Sequence, residues 1–145
     1  MNRLRRTLIA VAAFAIARPL AALAAWHKEA FSAKTPGDAL KSLGIAGAAP
    51  SKELHIDAPE IAENGAVVPI EVSSAIAGTS ALIVVIEKNP FPLTARFDFK
   101  EGALPFVKLN VKMAETSDVR VLAEAAGKHY FATKEIKVTI GGCGG

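Results

Sequence analysis

Short segments in which apolar and polar residues alternate, separated by turn-forming residues, occupy positions 51–140 of this 145-residue chain. Such alternation places all the apolar side chains of a segment on one face of a β-strand. In residues 107–113 this face holds Val107, Leu109, Val111 and Met113. No long helical pattern interrupts the series, so these segments can bury their apolar residues only by packing β-sheets together.

Turn signals divide positions 51–140 into about seven strands, which predicts an all-β fold, an immunoglobulin-like antiparallel β-sandwich. Residues 81–87 form a nearly continuous apolar run, typical of a strand buried on both faces, and residues 88–90 end it. The other strand candidates are residues 54–58, 67–72, 94–99, 107–113, 119–125 and 129–140. The chain has one cysteine, so this sandwich lacks the disulfide of antibody domains.

Residues 1–25 have the pattern of a secretory signal peptide. A basic start that contains Arg5 and Arg6 precedes an apolar run over residues 8–17 and a small-residue cleavage pattern at residues 22–24. The apolar run is too short to span a bilayer. The arginine pair resembles a twin-arginine export signal, but the flanking residues match it incompletely, so general secretion stays open. Both routes predict a protein outside the cytoplasm.

The net charge changes sign when this segment is removed. The full chain has 17 Lys and Arg against 14 Asp and Glu, a formal charge of +3. Four of the basic residues lie in residues 1–25, so the chain from residue 26 onward is near −1. A basic domain favours nucleic acid as a partner. The charge of the mature chain removes that argument, so we expect no nucleic-acid partner. After cleavage of the signal peptide we also expect no membrane association.

Residues 26–50 predict one short helix followed by a linker. Thr35 is a suitable N-cap, Pro36 suits the first helical position, and Asp38 lies near the positive end of the helix dipole. Gly44 is placed to end the helix. We interpret the glycine- and alanine-rich residues 45–50 as a linker to the sandwich.

Side chains with common catalytic or metal-binding chemistry are scattered along the chain. His27, His55 and His129 are far apart, and we interpret them as surface or strand-edge residues. We interpret the acidic residues that flank two turns as solvated loop charges; these residues are Glu60, Glu63, Glu115 and Asp118. The sequence contains no nucleophile elbow, phosphate-binding loop or His pair at metal spacing. It therefore predicts no catalytic residue, cofactor or metal site.

The last five residues, 141–145, have the sequence GGCGG and contain the only cysteine, Cys143. The four other residues, Gly141, Gly142, Gly144 and Gly145, make the segment slim and flexible, because glycine has no Cβ. At 3.3–3.6 Å per residue, the thiol can reach roughly 10 Å beyond Ile140, where the last predicted strand ends. No Lys, Arg or His lies next to Cys143 to activate its thiol. These features favour a handle on which partner enzymes act.

Other interpretations of the tail explain less. An incidental free thiol in an exported protein would invite disulfide-linked dimers. Prenylation needs the cysteine fourth from the end, where Gly142 stands. A ubiquitin-like carrier activated at Gly145 would need ATP and would leave Cys143 without a role, and a metal shuttle would need more ligands. A structural or interaction domain without carrier chemistry stays open as the alternative function.

Four segments carry a resemblance to a known family: residues 58–65 (APEIAENG), 87–90 (EKNP), 112–117 (KMAETS) and 134–145 (KEIKVTIGGCGG). On these segments the chain resembles SoxY, the sulfur-carrying subunit of the periplasmic thiosulfate-oxidising Sox system. The likeness covers most of the chain after the signal peptide.

The resemblance implies a non-enzymatic periplasmic carrier that forms a heterodimer with SoxZ, a second β-sandwich protein. It also implies that Cys143 carries thiosulfate-derived sulfur covalently, with no other cofactor. In SoxY proteins, the haem c enzyme SoxAX joins thiosulfate to the corresponding sulfur, SoxB hydrolyses off sulfate, and SoxCD, where present, oxidises the remaining sulfane sulfur. The glycine arm would visit each of these enzymes in turn.

The resemblance also bears on export and on the subunit contact. SoxZ proteins typically lack an export signal, so export of a folded pair would explain Arg5 and Arg6. For the contact with SoxZ, we expect either an exposed face of residues 81–87 or an edge strand of the sandwich.

Overall fold

Nine β-strands and two short helices make up residues 27–139, the part of the chain that the computed structural model describes. The helices are α1 (Lys28–Ser32) and α2 (Pro36–Ser42). The strands are β1 (Ala49–Pro50), β2 (Leu54–Asp57), β3 (Ile61–Ala62), β4 (Val68–Ser74), β5 (Thr79–Ile86), β6 (Leu93–Asp98), β7 (Phe106–Val111), β8 (Ser117–Ala125) and β9 (Lys128–Val138). The signal-peptide prediction falls on residues outside this part.

The strands form two sheets that pack face to face. The larger sheet has the order β1-β9-β8-β5-β6, with β3 also paired to β9, and the smaller sheet has the order β2-β4-β7. The predicted all-β sandwich is therefore confirmed, and its seven longer strands correspond to the seven predicted. The two-residue strands β1 and β3 were not predicted and pair parallel to β9. They are too short to show an alternating pattern, so only their position beside β9 defines them as strands.

The core between the sheets consists of the apolar faces that the alternation predicted. From the larger sheet it contains Leu82, Val84 and Ile86 of β5 and Val119 and Val121 of β8, and all five are at most 1% exposed. The smaller sheet contributes buried residues of β4 and β7, namely Val68, Ile70, Val72 and Val111. Burial of such side chains contributes about 1.5–3 kcal/mol each. Burial of these side chains is the main contribution to the free energy that holds the two sheets together.

Helices α1 and α2 cover the outer face of the larger sheet and form a third layer. Ile83 and Val85, which point away from the sandwich core, pack with Ala39 of α2 in a second apolar cluster. Residues 81–86 are consequently 0% exposed on both faces, as predicted. The expectation that residues 81–87 present an exposed face is therefore wrong for residues 81–86, because the helical layer covers that face. The expected subunit contact through an edge strand stays a prediction.

The predicted helix forms as its capping residues indicate. Thr35 is the N-cap of α2, and its hydroxyl accepts a hydrogen bond from the Asp38 N–H at 3.1 Å. The stretch interpreted as a linker differs from the prediction. Ile45 is 6% exposed and belongs to the cluster under the helices, and Ala49–Pro50 pairs with Tyr130 and Phe131 as β1. Residues 45–50 are thus anchored to the larger sheet by the buried Ile45 side chain and by the pairing of β1 with β9.

The close approach of backbone at Gly65 gives a stability prediction. A Cβ at this position would lie 2.5 Å from the Met113 carbonyl oxygen and 2.9 Å from Val138 Cγ1. We expect Gly65→Ala to lower the free energy of unfolding by about 1–3 kcal/mol, the usual cost of overpacking. Urea denaturation of the mature protein measures this change.

Gly37→Ala is the matched control, since a Cβ at Gly37 of α2 meets nothing within 4 Å. It should leave stability unchanged or raise it by up to about 1 kcal/mol, because alanine favours a helix more than glycine does. Equal free energies of unfolding for the two variants would contradict the close contact at Gly65.

Candidate functional site

The predicted site residues, Cys143 with Gly141, Gly142, Gly144 and Gly145, lie outside the described residues, but the structure defines where their segment is attached. β9 ends at Val138, and Thr139 is the last described residue, four positions before Cys143. We call the end of the sandwich where β9 ends the arm end, and the opposite end, where β9 begins, the far end.

Hydrogen bonds to the main chain of β9 hold this strand on both sides up to its last residue. On one side, β8 pairs with β9 as far as Ser117 opposite Ile136. Beyond Ser117, the Thr116 hydroxyl replaces the next backbone partner and accepts a hydrogen bond from the Val138 N–H at 2.9 Å. On the other side, the Thr139 N–H donates to the Ala62 carbonyl at 3.1 Å. The attachment point of the tail is thus fixed relative to the sandwich.

Three segments that are distant in sequence meet around this attachment point, and we call residues 58–67, 87–92 and 112–117 the arm-end segments. Asn89 links two of them, because its side-chain amide donates to the Lys112 carbonyl at 2.7 Å and accepts from the Ala114 N–H at 3.0 Å. The Met113 N–H donates to the Gly65 carbonyl at 2.7 Å, which links the third. Hydrogen bonds therefore join all three segments.

The residues that carry the family resemblance coincide with these segments. Three of the four stretches that carry the resemblance lie at the arm end, although no two of them are neighbours in sequence: residues 58–65, 87–90 and 112–117. The fourth stretch, residues 134–145, begins in β9 beside them. Sequence reasoning identified turns there but missed that they meet. The side chains of Asn89 and Thr116 make the hydrogen bonds between these stretches. No local sequence motif indicates that either side chain bonds to a residue more than 20 positions away.

Charges at the arm end are mixed and exposed. Lys88 and Glu115 form an ion pair at 3.6 Å, with side chains 58% and 62% exposed. Such exposed pairs contribute little to stability. The interpretation of Glu60, Glu63 and Glu115 as solvated charges is confirmed, since all three are exposed, whereas Asp118 on β8 is only half-exposed. The arm end therefore presents no single-sign field.

The three histidines are not brought together. His27 and His55 are exposed, and His129 lies at the far end, with Nε2 3.9 Å from the Glu124 carboxylate. Among residues 27–139, no three His, Cys, Asp or Glu side chains are placed to hold a metal ion. In the same residues, no helix is long and apolar enough to cross a membrane.

Two cavities of about 510 Å³ each lie away from the arm end. One opens at the far end beside Phe99 and Pro105, and the other lies beneath α2 beside Phe131. None of the arm-end segments lines either cavity. Neither cavity therefore provides a reaction site beside the tail.

Comparison with known proteins places this arrangement in a family. Residues 41–143 match the family model described as sulfur oxidation protein SoxY. The chain belongs to the SoxY family. A solved structure of the sulfur carrier protein SoxY from Chlorobium limicola f thiosulfatophilum is similar to it, with 38% sequence identity and a TM-score of 0.66. The similarity covers 72% of this chain and 96% of the other. A search of curated proteins finds no match.

The predicted family membership is therefore confirmed, and this SoxY family member is a sulfur carrier protein of sulfur oxidation with the β-sandwich fold of its relative. The family match ends at Cys143 itself.

The hydroxyl that holds the end of β9 gives a second prediction. In Thr116→Val the shape of the side chain is kept, but the Val138 N–H loses its acceptor. A lost hydrogen bond of this kind costs about 1 kcal/mol, so we expect the Val138 amide to exchange with solvent about fivefold faster. Hydrogen exchange followed by NMR measures the rate.

Thr133→Val serves as the control on the same strand, because Thr133 is exposed and lies five positions before Val138. Its effect on Val138 exchange should be negligible. An unchanged rate in Thr116→Val would mean that this hydroxyl does not hold the strand end.

Proposed function

We propose that this SoxY family member carries thiosulfate-derived sulfur covalently on Cys143 and presents it to partner enzymes on the glycine arm at residues 141–145. One observation carries the proposal: hydrogen bonds hold β9 through Thr139, and the family match ends four residues later, at the single cysteine. A rigid base and a short side-chain-free segment together form an arm of limited length with one reactive atom.

The length of the arm determines how far the cargo can travel. Cys143 lies four positions after Thr139, so an extended chain places the cysteine roughly 13–14 Å from the last fixed residue. Glycine on both sides of the cysteine keeps the arm as thin as a polypeptide can be. Such an arm can enter a narrow channel that would exclude ordinary side chains. The carrier itself then needs no reaction pocket beside the thiol.

The chemistry balances when partners supply the oxidant and the water. In loading, the thiol and thiosulfate lose one proton and two electrons and form the S-thiosulfonate, Cys–S–S–SO₃⁻. The electrons pass to the haem c of a SoxAX-type enzyme. In unloading, water cleaves the terminal S–S bond in a SoxB-type enzyme, which releases sulfate and two protons and leaves the persulfide anion, Cys–S–S⁻, on Cys143. A SoxCD-type enzyme, where present, oxidises that sulfane sulfur to the sulfonate Cys–S–SO₃⁻; three waters supply the oxygen, six protons are released, and six electrons pass to that enzyme.

In this proposal Cys143 is the site of attachment and the chain is not itself an enzyme. The thiol becomes reactive only inside a partner, since no basic residue adjoins it in sequence. The carrier works in the periplasm as a heterodimer with a SoxZ-like subunit, and the arginine pair of residues 5–6 supports export of the folded pair by the twin-arginine route.

Intact mass spectrometry tests the attachment site. The mature heterodimer incubated with thiosulfate and the SoxAX-type enzyme should gain the mass of one thiosulfate-derived group on this chain. Cys143→Ser should gain none, because an alcohol does not form the sulfur–sulfur bond. An adduct that persists in Cys143→Ser, or the absence of any adduct on the wild type, would refute the proposal.

The slimness of the arm can be tested separately. Gly142→Val and Gly144→Val add branched side chains beside the thiol, so we expect the rate of loading to fall at least about tenfold, as for a barrier change of 1.4 kcal/mol. Their melting temperatures should equal that of the wild type.

Gly47→Val provides a control for the valine substitutions, because a Cβ at Gly47 meets nothing within 4 Å. Loading of Gly47→Val should be unchanged. Normal turnover of both arm variants with every partner would show that the glycines are not needed for slimness.

A further inference from the structure

Exposed apolar side chains are concentrated at the arm end. Among residues 27–139, five large apolar residues are well exposed, and three of them lie in the arm-end segments: Ile61 (56% exposed), Val67 (55%) and Phe91 (48%). The other two, Leu104 and Phe106, lie near the β6–β7 connection at the far end. We call Ile61, Val67 and Phe91 the rim.

The rim residues lie at the end of the sandwich where the arm is attached. Ile61 is paired with Lys137 in the β3–β9 ladder, so its backbone lies about 5 Å from β9. Val67 directly precedes β4 in the facing sheet, which packs about 10 Å away. Phe91 lies two residues before β6, which is three strand positions from β9, or about 14 Å along the larger sheet. The three apolar residues therefore lie at the same end of the sandwich as Thr139, the last described residue before the arm.

Phe91 is held in its exposed position. The Lys34 ammonium lies 3.5 Å from the centroid of the Phe91 ring, a cation–π contact from the helical layer. Pro90 and Pro92 flank it and restrict the backbone, and the Asn89 side chain bonds to two backbone groups of residues 112–114. Aromatic side chains kept exposed on a rigid surface are typical of protein contact sites.

We propose that the rim is the docking surface for the enzyme that oxidatively loads Cys143, and that it meets an apolar mouth around the channel that takes up the arm. This inference rests on the proposed function. The occupant follows from the reach of the arm, because the cysteine extends only roughly 13–14 Å beyond Thr139. An enzyme whose reacting centre lies deep in a channel must therefore bring the mouth of that channel against the arm end.

The charges beside the rim support an apolar contact over an electrostatic one. Lys88 and Glu115 neutralise each other at 3.6 Å, and the neighbouring Lys112 and Glu63 are of opposite sign. Mixed charge of this kind gives little long-range attraction. The affinity for the enzyme is therefore expected to come from burial of the rim.

Steady-state kinetics of loading, with the mature heterodimer as substrate of the SoxAX-type enzyme, test the inference. Phe91→Ser and Ile61→Ser should raise KM about five- to tenfold, the effect of removing a contact residue, and leave kcat within about twofold. Phe106→Ser is the matched control, because Phe106 is the same residue type at nearly the same exposure, 51% against 48%, but lies at the far end. Its KM should be that of the wild type.

The inference is overturned if Phe91→Ser and Ile61→Ser keep the wild-type KM, if Phe106→Ser raises KM equally, or if the rim variants lose the partner subunit in size-exclusion chromatography. These results differ from failure of the proposed function, which would appear as no adduct on Cys143 of the wild type. A synthetic peptide of residues 140–145 adds a second measurement. It should be loaded with a KM at least about tenfold above that of the heterodimer, because it lacks the rim; an equal KM would also overturn the inference.

Discussion

The antiparallel pairing of β8 with β9 is the constraint on which the rest of the structure depends. Its register runs without a break from Ala125 opposite Lys128 to Ser117 opposite Ile136. A two-residue turn sets this register, and both its residues have positive φ, 49° at Ala126 and 73° at Gly127, as in a type I′ hairpin. A slip of one residue would turn Ile136 from the core to the surface and move the attachment point of the arm.

The body of the protein is densely packed up to the end of β9. Two sheets and a helical layer bury residues 81–86 of β5 completely, so the body has a well-packed centre. The end of β9 lies between β8 and β3 and is bonded to both. Under the proposed function, the thiol would need no pocket beside it, because a partner would enclose the reacting atoms. The body would then have to supply a defined origin for the arm and a surface around that origin.

Much of the fold follows from patterns that are local in sequence. The alternation in residues 107–113 identified the buried face of β7, and the continuous apolar run at residues 81–87 identified a strand buried on both faces. Thr35 and Pro36 identified the start of α2. Each of these signals concerns a residue and its near neighbours, for which periodicity and capping are sufficient. The GGCGG tail and its family resemblance likewise came from the sequence alone, and they led to the sulfur carrier family.

Tertiary structure alone decided which elements meet. Periodicity reports which faces of a strand are buried but not what covers them, so the helical layer over β5 could not be foreseen. The same holds for β1 and β3, which are strands only because β9 lies beside them. The meeting of residues 58–67, 87–92 and 112–117 around Thr139 depends on strand order and register, which are set by long-range contacts. The sequence by itself therefore determined the kind of fold and the family, and it suggested the arm that we propose. The packing of distant segments, which local patterns do not report, determined the surface around Thr139.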